Sequence, residues 1–229
     1  ARHCKGDYMI RHSVHFRFRK DADVAAIAAA LKGLQHKIPG ILAILVTMIG
    51  GMLSALNIVK ERETGTIEQI NVTPIRKRDF ILGKLIPFWI MAMVVFTIGL
   101  LLAWLVYGIA PQGSVWLLYA FVAVYLVAVL GFGLLVSTYC ASQQQAMFVM
   151  FFFVMIFILL GGLFTPVDSM PGWAQVMTRF NPVAHMVEVM RLVMLKGSGF
   201  MAILPNFLAI AAMAVVLNTW AVLNYRKTG

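Results

Sequence analysis

The sequence predicts an all-α polytopic membrane protein, a bundle of five transmembrane helices, and three observations carry that prediction. Hydrophobic residues are 61% of the 229 and charged residues only 12%, against roughly 45–50% and about 25% in a soluble domain. Mean hydropathy is +0.87. Five apolar runs stand out, at residues 38–59, 85–107, 116–137, 146–164 and 200–223, each 19 to 24 residues long. A helix needs roughly 17–25 apolar residues to cross about 30 Å of hydrocarbon. An ordinary soluble enzyme is excluded, and so is a disordered chain.

Charge sets the expected orientation. The formal net charge is +10, but the basic residues gather between or outside the runs. There, anionic lipid headgroups and the positive-inside bias explain them, so no nucleic-acid partner is expected. Residues 60–84 hold Lys60, Arg62, Arg76, Lys77, Arg78 and Lys84, whereas residues 108–115 hold no basic residue. The first of these loops is therefore expected inside and the second outside, with the others alternating: 139–145 inside, 165–199 outside, and the tail with Arg226 and Lys227 inside. Residues 1–37 go against this bias, with eight basic residues on the outer side. They are read as the end of a translocated extracellular domain, whose length weakens the rule. With Ala1 at the start and no signal sequence before the first run, a processed or truncated N-terminus is expected. Cys4 and Cys140 are too few and too far apart for a disulfide framework.

The first span is followed by Glu-Arg-Glu-Thr-Gly-Thr-Ile-Glu-Gln-Ile-Asn-Val-Thr-Pro, residues 61–74. Thr66 and Gln69 have capping-box spacing and Pro74 disfavours helix at Thr73, which frames a helix of about two turns. Ile67 and Ile70 share one of its faces. Such a helix, acidic at its start and apolar on one side, suits docking into a groove on a soluble partner; a mere interfacial elbow is the other reading.

Near the C-terminus, Gly161-Gly162-Leu163-Phe164-Thr165-Pro166 precedes Met170-Pro171-Gly172-Trp173, Asn181-Pro182, Glu188, Arg191 and Leu195-Lys196-Gly197. Ser169 is placed to cap a helix with Pro171 in its first turn, and Trp173, Val176, Met177 and Phe180 then form one apolar face, as expected of an interfacial helix. After Asn181-Pro182 a second helix, too short to span, carries His185, Glu188 and Arg191 along one strip. Glu188 and Arg191 are spaced to pair within it. The hairpin at 165–199 reads as an extracellular gate or exit; the charge pair reads either as part of that gate or as a bridge that only stabilises the hairpin.

The stretch at 61–74 resembles the acidic signature of type-2 ATP-binding-cassette transporter permeases, with matching positions Glu61, Glu63, Gly65, Thr66, Glu68, Thr73 and Pro74. The C-terminal series resembles the non-spanning hairpin between that family's last two spans. Together the resemblance covers residues 38–229; the family's first span and large extracellular domain have no counterpart here. It implies that region 60–84 couples to an ABC ATPase subunit and that Pro171, Trp173, Asn181, Pro182, Glu188 and Arg191 belong to the extracellular gate. It also implies a second permease subunit and a place in a bacterial inner membrane. ATP and Mg would then belong to the partner ATPase, with no cofactor in this chain.

Other chemistries find little support. The span interiors lack Asp, Glu, Lys, Arg and His, which argues against an ion-coupled carrier. The sequence Gly108 to Ser114 mimics a P-loop but lacks its lysine, and there is neither a zincin motif nor a nucleophile elbow. His12 and His15 lack a third metal ligand at suitable spacing. A non-transporting scaffold that recruits a soluble partner through its cytoplasmic helix is the alternative to an exporter.

Overall fold

The computed structural model describes residues 38–65, 77–108, 111–163 and 167–224. Within them the chain forms seven helices: α1 (Ile38–Glu63), α2 (Lys77–Tyr107), α3 (Val115–Tyr139), α4 (Gln143–Leu159), α5 (Gly172–Arg179), α6 (Pro182–Lys196) and α7 (Phe200–Asn224). Four of these, α1, α2, α3 and α7, are long and apolar enough to cross a membrane.

Helix α3 is the centre of the bundle and packs against α1, α2, α4, α6 and α7. Leu118, Phe121, Val122, Tyr125, Leu126 and Leu134 are buried along it. Polar side chains register its neighbours. Thr47 of α1 donates to its own Ala43 carbonyl and pairs with the buried Tyr125 hydroxyl. The Trp89 indole of α2 donates to the Ala123 carbonyl at 3.1 Å, and Asn218 of α7 donates to the Val127 carbonyl at 2.9 Å. Without water, such groups must find partners inside the bundle. The register makes α1 and α7 parallel to α3, and α2 antiparallel to it. At one end of the bundle lie the C-terminus of α1, the N-terminus of α2 and the α3–α4 loop; the α5–α6 hairpin lies at the other.

Two expectations about the spans are corrected. The fourth run, expected at 146–164, begins three residues earlier at Gln143 and ends at Leu159. Beyond its C-cap Leu160 the chain tightens at Gly161, whose N–H donates to the Ile158 carbonyl, and turns at Gly162, whose φ of 72° lies in the left-handed region that a side chain disfavours. Seventeen residues make about 25 Å of helix, short of the roughly 30 Å of hydrocarbon. The turn beyond α4 nevertheless brings Leu163 against Gly40, near the start of α1. Secondly, α2 begins at Lys77 rather than at 85, because its basic first turns continue the helix without needing an apolar environment.

Helix α1 contains a π-helical stretch, Met48–Met52, which includes the adjacent glycines Gly50 and Gly51. Pro87 and Pro205 lie inside α2 and α7. Of the Met- and Phe-rich residues of α4, Met147, Phe148, Phe151, Phe152 and Met155 face outward and Met150 is buried. Most of that stripe is therefore packing for lipid.

Candidate functional site at the two ends of the bundle

The last turn of α1 is charged, and three consecutive residues in it reach three different elements. Glu61 forms an ion pair with Lys84 of α2. Arg62 donates from Nη1 to the Cys140 carbonyl, 3.2 Å away, just beyond α3. Glu63 accepts from the Gln143 backbone N–H at 2.8 Å and from the Gln143 side-chain amide at 2.5 Å, at the first residue of α4. Successive helical residues point about 100° apart, so one turn can address three neighbours.

The α4 contact has a particular logic. The first N–H groups of a helix have no partner inside it, and its positive dipole end favours an anion. Ser142 caps α4 by accepting from Gln145 N at 3.2 Å, and the Glu63 carboxylate takes the N–H of Gln143. The Cys140 thiol beside it is pushed up from its ordinary pKa by burial, with the Arg62 charge pulling the other way. Helix α1 closes where Thr64 N–H donates to the Lys60 carbonyl at 3.0 Å, and Gly65 N–H donates to the Arg62 carbonyl at 3.2 Å. Of the expected coupling positions, Glu61, Glu63 and Gly65 therefore sit together at this end. Thr66, Glu68, Thr73 and Pro74, with the short helix expected between Thr66 and Thr73, lie outside the described residues, as do residues 1–37.

At the other end, α4 meets the hairpin. The carbonyls of a helix's last turn need donors, and three hairpin side chains approach them. Asn181 donates from Nδ2 to the Phe157 carbonyl at 2.8 Å while its Oδ1 caps α6 at Val183 N, 2.9 Å away. The Thr178 hydroxyl is within reach of the Leu160 carbonyl at 3.2 Å and of its own Ala174 carbonyl at 2.8 Å. Arg191 donates from Nη2 to the Gly162 carbonyl at 2.9 Å.

The last contact corrects an expectation. Glu188 and Arg191 do not form an ion pair: Glu188 is exposed and Arg191 turns to the backbone beyond α4. A buried carbonyl held in place by the fold is a better partner than an exposed carboxylate, whose ion pair gains little against solvent. The cap of α5 is also corrected. Pro171 occupies the N-cap position and Gly172 begins the helix, while Ser169 belongs to the short turn Val167–Ser169. Pro182 is the first residue of α6, where its missing N–H costs nothing. Trp173 is 67% exposed and Phe180 75%, with Val176 and Met177 also exposed beside them, so the apolar face of α5 points away from the bundle.

His185 joins the hairpin to α7. Its Nε2 lies 2.9 Å from the Arg179 carbonyl and its Nδ1 2.7 Å from Oδ1 of Asn206. The loop before α3 is clipped to α6, with Gly113 N–H donating to the Val193 carbonyl at 3.0 Å. Gln143 and Asn206 were not singled out from sequence, and Cys140 was read there only as one of two cysteines without a disulfide framework. The one local signal at the start of α4 is Ser142, a residue suited to cap a helix start.

Comparison with known proteins agrees with this architecture. A family model described as "ABC-2 type transporter" matches residues 14–195. In Escherichia coli K12, the protein named "Probable multidrug ABC transporter permease YbhR" is 35% identical over 161 residues, covering 70% of this chain and 44% of that protein. "Probable multidrug ABC transporter permease YbhS" is 31% identical over 180 residues, 78% of this chain and 48% of that one. "Inner membrane transport permease YhhJ" is 31% identical over 195 residues, 82% of this chain and 51% of its own length. The chain thus spans about half the length of these relatives. With its polytopic helical bundle and its match over most of the sequence, this chain belongs to the ABC-2 type transporter family, as a multi-pass membrane permease.

Proposed function

We propose that this chain carries the C-terminal helices of the permease subunit of an ATP-driven exporter in a bacterial inner membrane. An ABC ATPase binds at region 60–84, and ATP and Mg reside on that partner. Five or six spans enclose too little interior for a transport path, so two permease subunits pair and the cargo passes between them. A hydrophobic or amphipathic cargo is the class that the aromatic, Met-rich composition of the spans favours. The relatives' names, two of which mention multidrug transport, support the class.

The observation that carries this reading is the charged last turn of α1, where Glu61, Arg62 and Glu63 hold α2, the α3–α4 loop and α4 beside the acidic signature. Force applied to residues 61–74 reaches α4 through Glu63. From the far end of α4 it reaches the hairpin through Asn181 and Arg191. Transmission through elements with two arrangements is what coupling between distant sites requires. The hairpin then opens or closes the exit.

The test is ATP hydrolysis by the partner ATPase in membranes reconstituted with and without the permease. Stimulation by the permease, abolished in the Glu63→Ala, Glu68→Ala double variant, is the expected result. Binding of the ATPase with no change in its rate would favour the scaffold reading.

A further inference from the structure

Between α4 and α7 lies a crevice of about 530 Å³, lined by Phe132, Phe157, Phe180, Pro182, Met213 and Leu217 among others. Every lining residue is apolar except one, Arg179, which stands at the hairpin end. Arg179 also lines a second cavity of about 570 Å³, whose other charged walls are Glu188, Arg191 and Lys196, with His185 beside them. One arginine therefore borders both an apolar slot along the bundle and a polar cavity at its end. Three cations face one carboxylate there, and Arg191 already gives one N–H to the Gly162 carbonyl.

The slot opens sideways. Val216 is 60% exposed, Phe180 and Arg179 are exposed, and the surrounding surface of α4 and α7 is apolar. Both volumes fall within the roughly 300–1,000 Å³ of small-molecule sites. A second protein helix pressed into the slot would bury the Arg179 guanidinium without a counter-charge, which is costly. A molecule with an apolar chain and an anionic head satisfies both parts at once, because guanidinium binds phosphate oxygens through a two-pronged hydrogen bond.

We propose that the α4–α7 crevice and Arg179 form a binding site for an anionic phospholipid, its acyl chain along Phe157, Met213 and Leu217 and its phosphate at Arg179. The site stands apart from ATP coupling: it requires neither the partner ATPase nor a particular orientation of the bundle. Lys196 and Arg191 raise the local positive potential and set the preference for a net negative headgroup over a zwitterionic one.

Native mass spectrometry of the full-length permease, titrated with phosphatidylglycerol or phosphatidylcholine, tests this. The expected result is preferential retention of phosphatidylglycerol. Retention should weaken about tenfold in Arg179→Ala, equivalent to about 1.4 kcal/mol, and recover in part in Arg179→Lys. Ala212→Phe, at an exposed position of the crevice wall, should weaken it with Arg179 intact. Equal retention of both lipids by the wild type would overturn the proposal, as would undiminished retention in Arg179→Ala. Separation of permease copies in Ala212→Phe with lipid retention unchanged would assign the crevice to a second copy, and would equally overturn it.

Discussion

Glu63 answers a need that any helix start creates, an acceptor for N–H groups that have none, and it does so from another helix. Its pairing with Gln143 crosses 80 positions of sequence, which is why no local pattern announced it. Arg191 follows the same logic at the opposite end, where a carbonyl lacks a donor. Spacing of three along a helix suggested a bond to Glu188; the guanidinium instead meets the carbonyl of the buried Gly162, a fixed acceptor, while Glu188 stays exposed. Arg191→Ala should therefore lower stability by about 1.5–3 kcal/mol, the usual range for a charged hydrogen-bond donor. Glu188→Ala should change it by less than about 0.5 kcal/mol, as for an exposed side chain. Thermal unfolding of both variants in detergent checks this, and equal losses would point to an ion pair. For Cys140, the raised pKa predicts that alkylation by a maleimide rises only at a pH above that of an ordinary thiol. Arg62→Ala, which removes the charge that favours the thiolate, should move that rise higher still.

Among the elements, α4 is the one whose two ends are held by different parts of the chain, and α3 is the one against which the bundle is registered. The apolar runs made the long helices legible, because lipid demands about twenty apolar residues and an internal partner for every backbone group. Their ends were less legible. The first turns of α2 are helical although basic, and α4 stops at a glycine turn that hydropathy does not mark. The hairpin's two helices, its outward apolar face and its Asn181-Pro182 break could be read in advance, since amphipathic spacing and proline breaks are local signals, although the cap of α5 was misplaced at Ser169. The glycines Gly50, Gly51, Gly131 and Gly133 permit close helix approach, but that α1 and α3 are the helices that meet there was not readable from local pattern. At Gly133 a Cβ would stand 2.5 Å from the Gly51 carbonyl and 3.2 Å from Ser54 Cβ. Gly133→Ala should thus cost about 1–3 kcal/mol through overpacking against backbone. Gly83→Ala on α2, with no atom within 4 Å of the added carbon, should be neutral or stabilising by up to about 1 kcal/mol. Melting temperatures of the two variants, compared in one detergent, would reveal the difference.

The whole molecule is polarised: its charged end gathers Glu61, Arg62, Glu63 and Lys84, and its hairpin end gathers Arg179, Glu188, Arg191 and Lys196. Under the proposed function, the first end faces the cytoplasm, where an ATPase would act on α1 and, through Glu63, on the helix that supports the hairpin. If it faces outward, no motor can reach it. Orientation is accordingly the claim on which the exporter reading rests, and sequence approached it through the balance of basic residues in loops and the resemblance at 61–74. The direct measurement is labelling of single cysteines, Thr66→Cys and Trp173→Cys in a background lacking Cys4 and Cys140, with a membrane-impermeant maleimide. Thr66→Cys labelled only in inverted vesicles, and Trp173→Cys only in intact cells, is the predicted result. Labelling of Thr66→Cys in intact cells would contradict it.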